Sequence, residues 1–461
     1  MSEQGLSESE NKLSVGQWVY RSLLLIAGWV FFVIKDPAAL IWIFGITFLG
    51  YAVGIELEKR QKTGDVKNTL IYTVVVITAI LIVFKYGGLF LGHGLLVPLG
   101  LSYYSLMVIG YLIDVYRGDV RAENNIIVFA LYVGFLPQIT AGPIGRGKEL
   151  LKIYRNRITV SVEDIKVGLL MITLGVFEKF AMADNLRGIV DGIVASDAGG
   201  VTLAVAFLFF SLVIYYDFAG YSLIAIGLGR LMGVKLTDNF HAPYLATSVK
   251  EFWRRWHISL SSWFRDYLYI PLGGSRKGKI RRDLNTILVF AVSGAWHGQQ
   301  IGFWIWGLVH GIFLVVENGF RALFGSKTIR LSKAIRIPLN MGKRFVVFAL
   351  VSFAWIPFYA GSLDNTVSLF GRLFSKDDGL LSWLSNGFGL RVEIWALLGI
   401  GFILFLVLSI LDEWLKHTLY ERIAKRGYII FILAIVLYTA LLLIGAYGSE
   451  YEAAEFIYGG F

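Results

Sequence analysis

The run "TLIYTVVVITAILIVFKY", residues 69–86, carries a single charge, Lys85, close to its end. A helix needs about 20 apolar residues to cross the roughly 30 Å hydrocarbon core of a bilayer. The run is near that length and shows none of the alternation of a lipid-facing strand. Runs of the same kind lie at Trp18–Ile34, Ala39–Ile55, Ile394–Leu411 and Tyr428–Leu443. Only 16% of the 461 residues are Asp, Glu, Lys or Arg, where soluble domains carry about 25%. The mean hydropathy is +0.65. The pattern predicts an all-α polytopic membrane protein with roughly ten to twelve crossings.

Outward from this run, the loop "ELEKRQKTGDVK" (56–67) holds four basic residues, which places it in the cytoplasm by the positive-inside rule. Two apolar runs precede it, joined at "KDPA" (35–38), where Pro37 marks a turn, so the N-terminus is expected on the same side. Thr69–Tyr86 then leads out, Leu95–Val115 returns, and "YRGDVRAE" (116–123) is again cytoplasmic. "FLPQITAGPIGRG" (135–147), with two prolines, reads as a candidate re-entrant segment and ends the count. Residues 1–15 are a polar tail without the basic start or small-residue cleavage site of a signal peptide. Residues 16–461 read as one transmembrane domain with no internal repeat or linker. The chain has no cysteine, which rules out disulfides, thiolate metal ligands and a cysteine nucleophile.

The net charge of +10 is concentrated. Between Lys250 and Asp283 stand nine Lys or Arg and three Asp or Glu. Membrane topology and anionic lipid explain such a stretch more simply than nucleic acid does, and an anionic ligand is the second reading. This stretch is too polar for an ordinary lipid-facing span. Ser248 and Glu251 form a capping-box pattern, and Pro271-Leu-Gly-Gly marks the end of the helix. On one continuous helix, Arg254, His257, Ser261 and Arg265 would fall at about 0°, 300°, 340° and 20°, a narrow polar stripe. Such a helix lies at an interface or lines a wet cavity.

Two of the six histidines, His297 and His310, sit in the apolar run "GAWHGQQIGFWIWGLVHG" (294–311). Small residues around His297 allow close approach of backbone or ligand. A desolvated imidazole stays neutral and can take a proton from a hydroxyl, as acyl transfer to an alcohol requires. A histidine that hydrogen-bonds helices together is the competing reading. His310, about 220° round from His297 on one helix, is expected to pack behind it. His257 suits positioning or interface solvation, and His93, His241 and His417 read as structural. Asp217, in "IYYDFAGYS", and the Glu178–Lys179 pair are expected to be buried and paired. No His/Asp cluster has metal-ligand spacing, and no Walker, G-x-S-x-G or dinucleotide motif occurs.

Several long motifs carry a resemblance. "DNFHAPYLATSVKEFWRRWHISLSSWFRDYLYIPLGG" (238–274), "GAWHG" (294–298) and "WGLVHG" (306–311) resemble the membrane-bound O-acyltransferase (MBOAT) family, in its branch of alginate and peptidoglycan O-acetylation proteins. "PLGLSYYSLMVIGYLIDVYRG" (98–118), "FLPQITAGPI" (135–144), "ADNL" (183–186), "YYDFAGYSLIAIGLGRLMG" (215–233) and "EFIYGGF" (455–461) fit the same branch in the same order.

The resemblance implies a ring of tilted transmembrane helices with re-entrant segments around a central tunnel. It implies His297 as the catalytic residue and His257 as a second histidine near the reaction centre, with His310 and Asp217 in support. It also implies acetyl-CoA or another acyl thioester as donor, with no permanently bound cofactor. The acceptor is then a cell-surface glycan or an extracytoplasmic SGNH-type acetyltransferase partner, and the place is the bacterial cytoplasmic membrane. Arg254, Ser261 and Arg265 become candidates for substrate binding. Arg276, Lys277, Arg281 and Arg282 become candidates for holding the donor's phosphates. Tyr359, in "WIPFYAG" (355–361), stands where the branch tends to carry arginine. D-alanyl transfer to teichoic acid is the alternative activity. A proton-coupled transporter is the alternative class, and the chain lacks the paired halves typical of one.

Overall fold

The computed structural model describes residues 14–61, 64, 66–91, 96–139, 142–325, 332–376, 379–415 and 419–445. His93, His417, most of the N-terminal tail and the ending "EFIYGGF" lie outside the described residues. The chain is an all-α polytopic membrane protein. Among the described residues there is no strand, and seven helices are long and apolar enough to cross a membrane. Ten to twelve were expected. Shorter helices hold further apolar runs, among them the buried Leu101–Arg117 and the largely exposed Gly427–Leu443.

Two compact units are present. The first draws on the described residues of Met1–Thr140, Ile144–Ser161 and Gly229–Leu236. It contains α1 (Val15–Lys35), α2 (Ala39–Arg60), α3 (Lys67–Tyr86), α4 (Leu101–Arg117), α5 (Ile126–Gly134) and α6 (Gly147–Arg155). The expected return span at Leu95–Val115 is α4, which has 17 residues and is buried over nearly its whole length. It stops at Gly118, whose φ of 78° lets its N–H turn back to the Val115 carbonyl at 3.0 Å. The segment 135–147 holds one short turn, Leu136–Ile139, between α5 and α6.

The fully buried Arg21 of α1 ties this unit together. Its guanidinium donates to the carbonyls of Tyr154 (2.7 Å), Gln17 (3.0 Å) and Asn156 (2.5 Å). Two of these close the C-terminal end of α6, where a cation meets the negative end of the helix dipole.

The second unit begins with α7 (Val162–Val176), which runs through a π-helical turn, Phe177–Ala183, into α8 (Asp184–Ala195). α9 (Gly200–Leu231), α10 (Val249–Arg255) and α11 (Ile258–Phe264) follow. Next come α12 (Lys279–His297), α13 (Ile301–Phe324), α14 (Lys333–Ala360), α15 (Leu363–Leu373), α16 (Val392–Trp414) and α17 (Gly427–Ile444).

The π turn carries Lys179, whose Nζ sits 2.8 Å from Asp184 and 2.7 Å from Asp217, all three side chains buried. α12 and α13 form a hairpin closed by glycines. A Cβ on Gly294 or Gly307 would overlap the carbonyls of Phe303 and Phe290, and one on Gly311 would lie 3.2 Å from Ile287 Cα. Small residues let the two backbones approach this closely, as membrane helix pairs require.

Candidate active site

The helix expected to carry a single polar stripe is broken at its middle histidine. Trp256 is extended (φ −105°, ψ 129°), and His257 is left-handed (φ 43°, ψ 55°). A non-glycine residue held there costs about 1–3 kcal/mol, so surrounding contacts must impose it. Asn239 supplies them. Its carbonyl accepts the Ile258 N–H at 2.9 Å, and its Oδ1 accepts the Ser259 hydroxyl at 2.7 Å. Its amide donates to Ser222 of α9 at 3.0 Å. His241 N–H in turn reaches the Arg255 carbonyl at 3.0 Å. The irregular stretch 239–241 thus takes over hydrogen bonds at the break that a continuous helix would have made itself. The result buries the His257 ring edge-to-face against Phe218, with centroids 4.6 Å apart.

His297 is the last residue of α12, 1% exposed, inside a box of aromatic rings drawn from three helices. Ring centroids lie at 5.0 Å to Trp296, 5.1 Å to Trp306, 5.7 Å to Phe358 and 6.4 Å to Phe303. The chain turns at Gly298, so His297 and His310 occupy different helices and not one run. Trp306 lies between them, 5.3 Å from His310. Trp306 also stacks on Trp355 at 5.5 Å, and Trp355 touches Trp256, the neighbour of His257, at 5.3 Å. A chain of three tryptophans therefore links the broken helix to His297. The part of Trp256, Trp355 and Trp306 was missed in the sequence, where no spacing connects the three.

His310 is fully buried. The Trp253 indole N–H donates to its Nδ1 at 3.3 Å, and Phe252 stacks on it with an interplanar angle of 7°.

A sequence profile described as MBOAT, membrane-bound O-acyltransferase family, matches residues 97–357, which include the broken helix and both histidine motifs. A Pseudomonas fluorescens protein named "Probable alginate O-acetylase AlgI" is 35% identical, over 82% of this chain and 75% of its own length. The chain belongs to the membrane-bound O-acyltransferase family. A peptidoglycan O-acetyltransferase of Helicobacter pylori is 30% identical over 79% of the chain and 75% of its own length. A teichoic acid D-alanyltransferase of Streptococcus thermophilus is 32% identical over 48% and 57% respectively. The chain is an O-acyltransferase.

The remaining expected site residues of this acyltransferase are dispersed. Because the helix breaks at His257, Arg254, Ser261 and Arg265 do not share a face with it. Arg254 is exposed in the last turn of α10, before the break. Ser261 donates its hydroxyl to the Trp256 carbonyl at 3.1 Å and so braces the break. Arg265 points to solvent and pairs with Asp266 at 2.7 Å.

The basic loop 275–282 ends at Gly278. Arg281 and Arg282 stand on the first turn of α12, not in a loop. Arg276, Lys277 and Arg281 are exposed, whereas Arg282 is held by Asp283 at 2.8 Å. Asp217 belongs to the buried pair with Lys179. Tyr359, the next residue after Phe358 of the His297 box, donates its hydroxyl to Asp191 at 2.8 Å.

Proposed function

We propose that this acyltransferase moves an acetyl group from a cytoplasmic acyl thioester, acetyl-CoA, to a hydroxyl of a cell-surface polysaccharide or of a partner acetyltransferase. The setting is the bacterial cytoplasmic membrane. The observation that carries the reading is His297, a buried imidazole at the end of α12, boxed by Trp296, Trp306, Phe303 and Phe358. In this apolar box an imidazole acts as a proton acceptor of moderate strength that competes with little water. It takes the acceptor's hydroxyl proton as the oxygen bonds to the thioester carbonyl carbon. The tetrahedral intermediate then collapses. The carbon–sulfur bond breaks, and the departing thiolate receives the proton back from the imidazolium. An ester and a free thiol result, and His297 returns to its starting state. His257, locked by the Asn239 contacts, positions substrate. The exposed Arg276, Lys277 and Arg281 attract the phosphates of the donor.

Acetyl is favoured over D-alanyl by the extent of likeness. The acetylases align over about four fifths of the chain and the D-alanyltransferase over about half. The test replaces His297 with Ala in cells whose surface O-acetylation depends on this gene and measures acetate released from the surface glycan by mild base. Acetate should fall to the level of the deletion strain while the protein remains in the membrane fraction. Acetate near the wild-type level would overturn the assignment. Release of D-alanine in place of acetate would give the chain the second activity.

A further inference from the structure

A groove on the second unit lies outside the chemistry described above. Its polar half, about 530 Å³, is formed by the start of α10, the end of α13 and the first part of α14. Lys250, Arg254, Arg321 and Lys343 surround it. The two carboxylates there are already engaged. Glu251 accepts from the Thr247 N–H and hydroxyl and pairs with Arg255 at 2.7 Å. Glu317 pairs with Arg321 at 2.6 Å and accepts the Lys250 N–H at 3.0 Å. Lys250, Arg254 and Lys343 have no ion-pair partner among the described residues, and all three are exposed. The polar half therefore has an uncompensated positive charge.

Thr247 and Lys343 also line a second, apolar half of about 660 Å³, formed with Ile335, Pro338, Leu339 and Val346 of α14. This half is open to the outside: Ile335 is 56%, Leu339 43% and Val346 54% exposed. It lies on Ile335–Ala360, one of the seven helices fit to span a membrane. None of the residues lining either half is His257, His297 or a ring of the box around His297. A positive pocket at the end of a membrane span, continuous with an apolar trough that opens sideways, matches an amphiphile with a phosphate head.

We propose that this groove binds an anionic phospholipid, its phosphate among Lys250, Arg254, Arg321 and Lys343 and one acyl chain along the Pro338–Val346 side of α14. The site is separate from the acyl-transfer site, and its test uses no activity readout.

The full chain is purified in a neutral detergent and titrated with phosphatidylglycerol or phosphatidylcholine in mixed micelles, followed by thermal unfolding and native mass spectrometry. Phosphatidylglycerol should raise Tm and leave a one-lipid adduct, because a ligand of the folded state stabilises it by mass action. Phosphatidylcholine should do neither. Arg254→Gln with Lys343→Gln should weaken phosphatidylglycerol binding about tenfold or more, a loss of about 1.4 kcal/mol, with the lipid-free Tm unchanged. Leu339→Trp, which fills the apolar half and leaves every cation in place, should weaken it as well and decides the matter if the double variant does not fold. Equal binding of the two lipids, or undiminished phosphatidylglycerol binding by Leu339→Trp, overturns the proposal. So does displacement of the lipid by coenzyme A at matched concentration, which would assign the groove to a water-soluble phosphate compound.

Discussion

Trp253 donates its indole N–H to Nδ1 of His310 at 3.3 Å. An indole nitrogen cannot accept, so the bond fixes the His310 tautomer with its proton on Nε2. The same imidazole then packs on Trp306, which also packs on His297. A bond made on α10 thus fixes a ring two contacts away from the proposed base.

Trp253→Phe keeps the ring and removes the donor. Turnover should fall about 3- to 10-fold, in line with the roughly 1 kcal/mol of a single hydrogen bond, with the amount of membrane-inserted protein unchanged. Turnover equal to wild type would mean that the orientation of His310 does not matter to the reaction.

At position 257 the backbone and the side chain can be separated. Glycine accepts a left-handed conformation that alanine resists by about 1 kcal/mol. His257→Gly should therefore unfold at a higher temperature than His257→Ala, while the two lose activity alike. Both should retain more activity than His297→Ala, since positioning is a smaller effect than loss of the base. A loss at His257 as complete as at His297 would reverse the two roles.

The α12–α13 hairpin should tolerate no side chain where its backbones touch. Gly294→Ala and Gly307→Ala each drive a Cβ into a carbonyl of the facing helix, and each should destabilise by about 1–3 kcal/mol as overpacking does. Gly319→Ala, on the same α13 with open space around it, should be neutral or slightly stabilising. Thermal unfolding of the three variants in detergent makes the comparison. Equal behaviour at positions 294 and 319 would refute the close approach.

Arg276, Lys277 and Arg281 are exposed, so their attraction for a phosphate-bearing donor is screened by salt. Replacing all three with Gln should raise the donor KM several-fold at low ionic strength and much less near 0.5 M salt, with kcat little changed. Arg282→Gln alone should change KM little, because that cation already faces Asp283. A triple variant that inserts normally and keeps its donor KM in low salt would remove these residues from the donor site.

The apolar runs disclosed the fold class because length and hydropathy are local properties. Trp18–Ile34 and Thr69–Tyr86 reappear as α1 and α3 with little change. The Ser248 cap was also legible: its hydroxyl accepts the Glu251 N–H, although Glu251 itself turns to Thr247 and not to Ser248. The break at His257 was not legible. It depends on Asn239, about twenty residues away in sequence, and periodicity within the helix carries no trace of that partner. For the same reason the polar stripe of Arg254, His257, Ser261 and Arg265 dissolved. The salt bridge between Lys179 and Asp184 went unnoticed because residues five apart meet on a π-helical turn and not on a regular α-helix. The two histidine motifs were readable as motifs, yet the tryptophan chain between them joins α10, α13 and α14 and exists only once these helices pack.

The buried Lys179 also constrains biogenesis. Its carboxylate partners stand on two different helices, Asp184 at the start of α8 and Asp217 in α9. A lone lysine or aspartate at the centre of a lipid-exposed helix costs about 2.5–3.5 kcal/mol on insertion scales. During synthesis, Lys179 and its first partner Asp184 emerge together on the segment 162–195, and the second carboxylate, Asp217, arrives only when α9 has been made. The finished contact of one lysine with two carboxylates therefore cannot form before both segments have been synthesised.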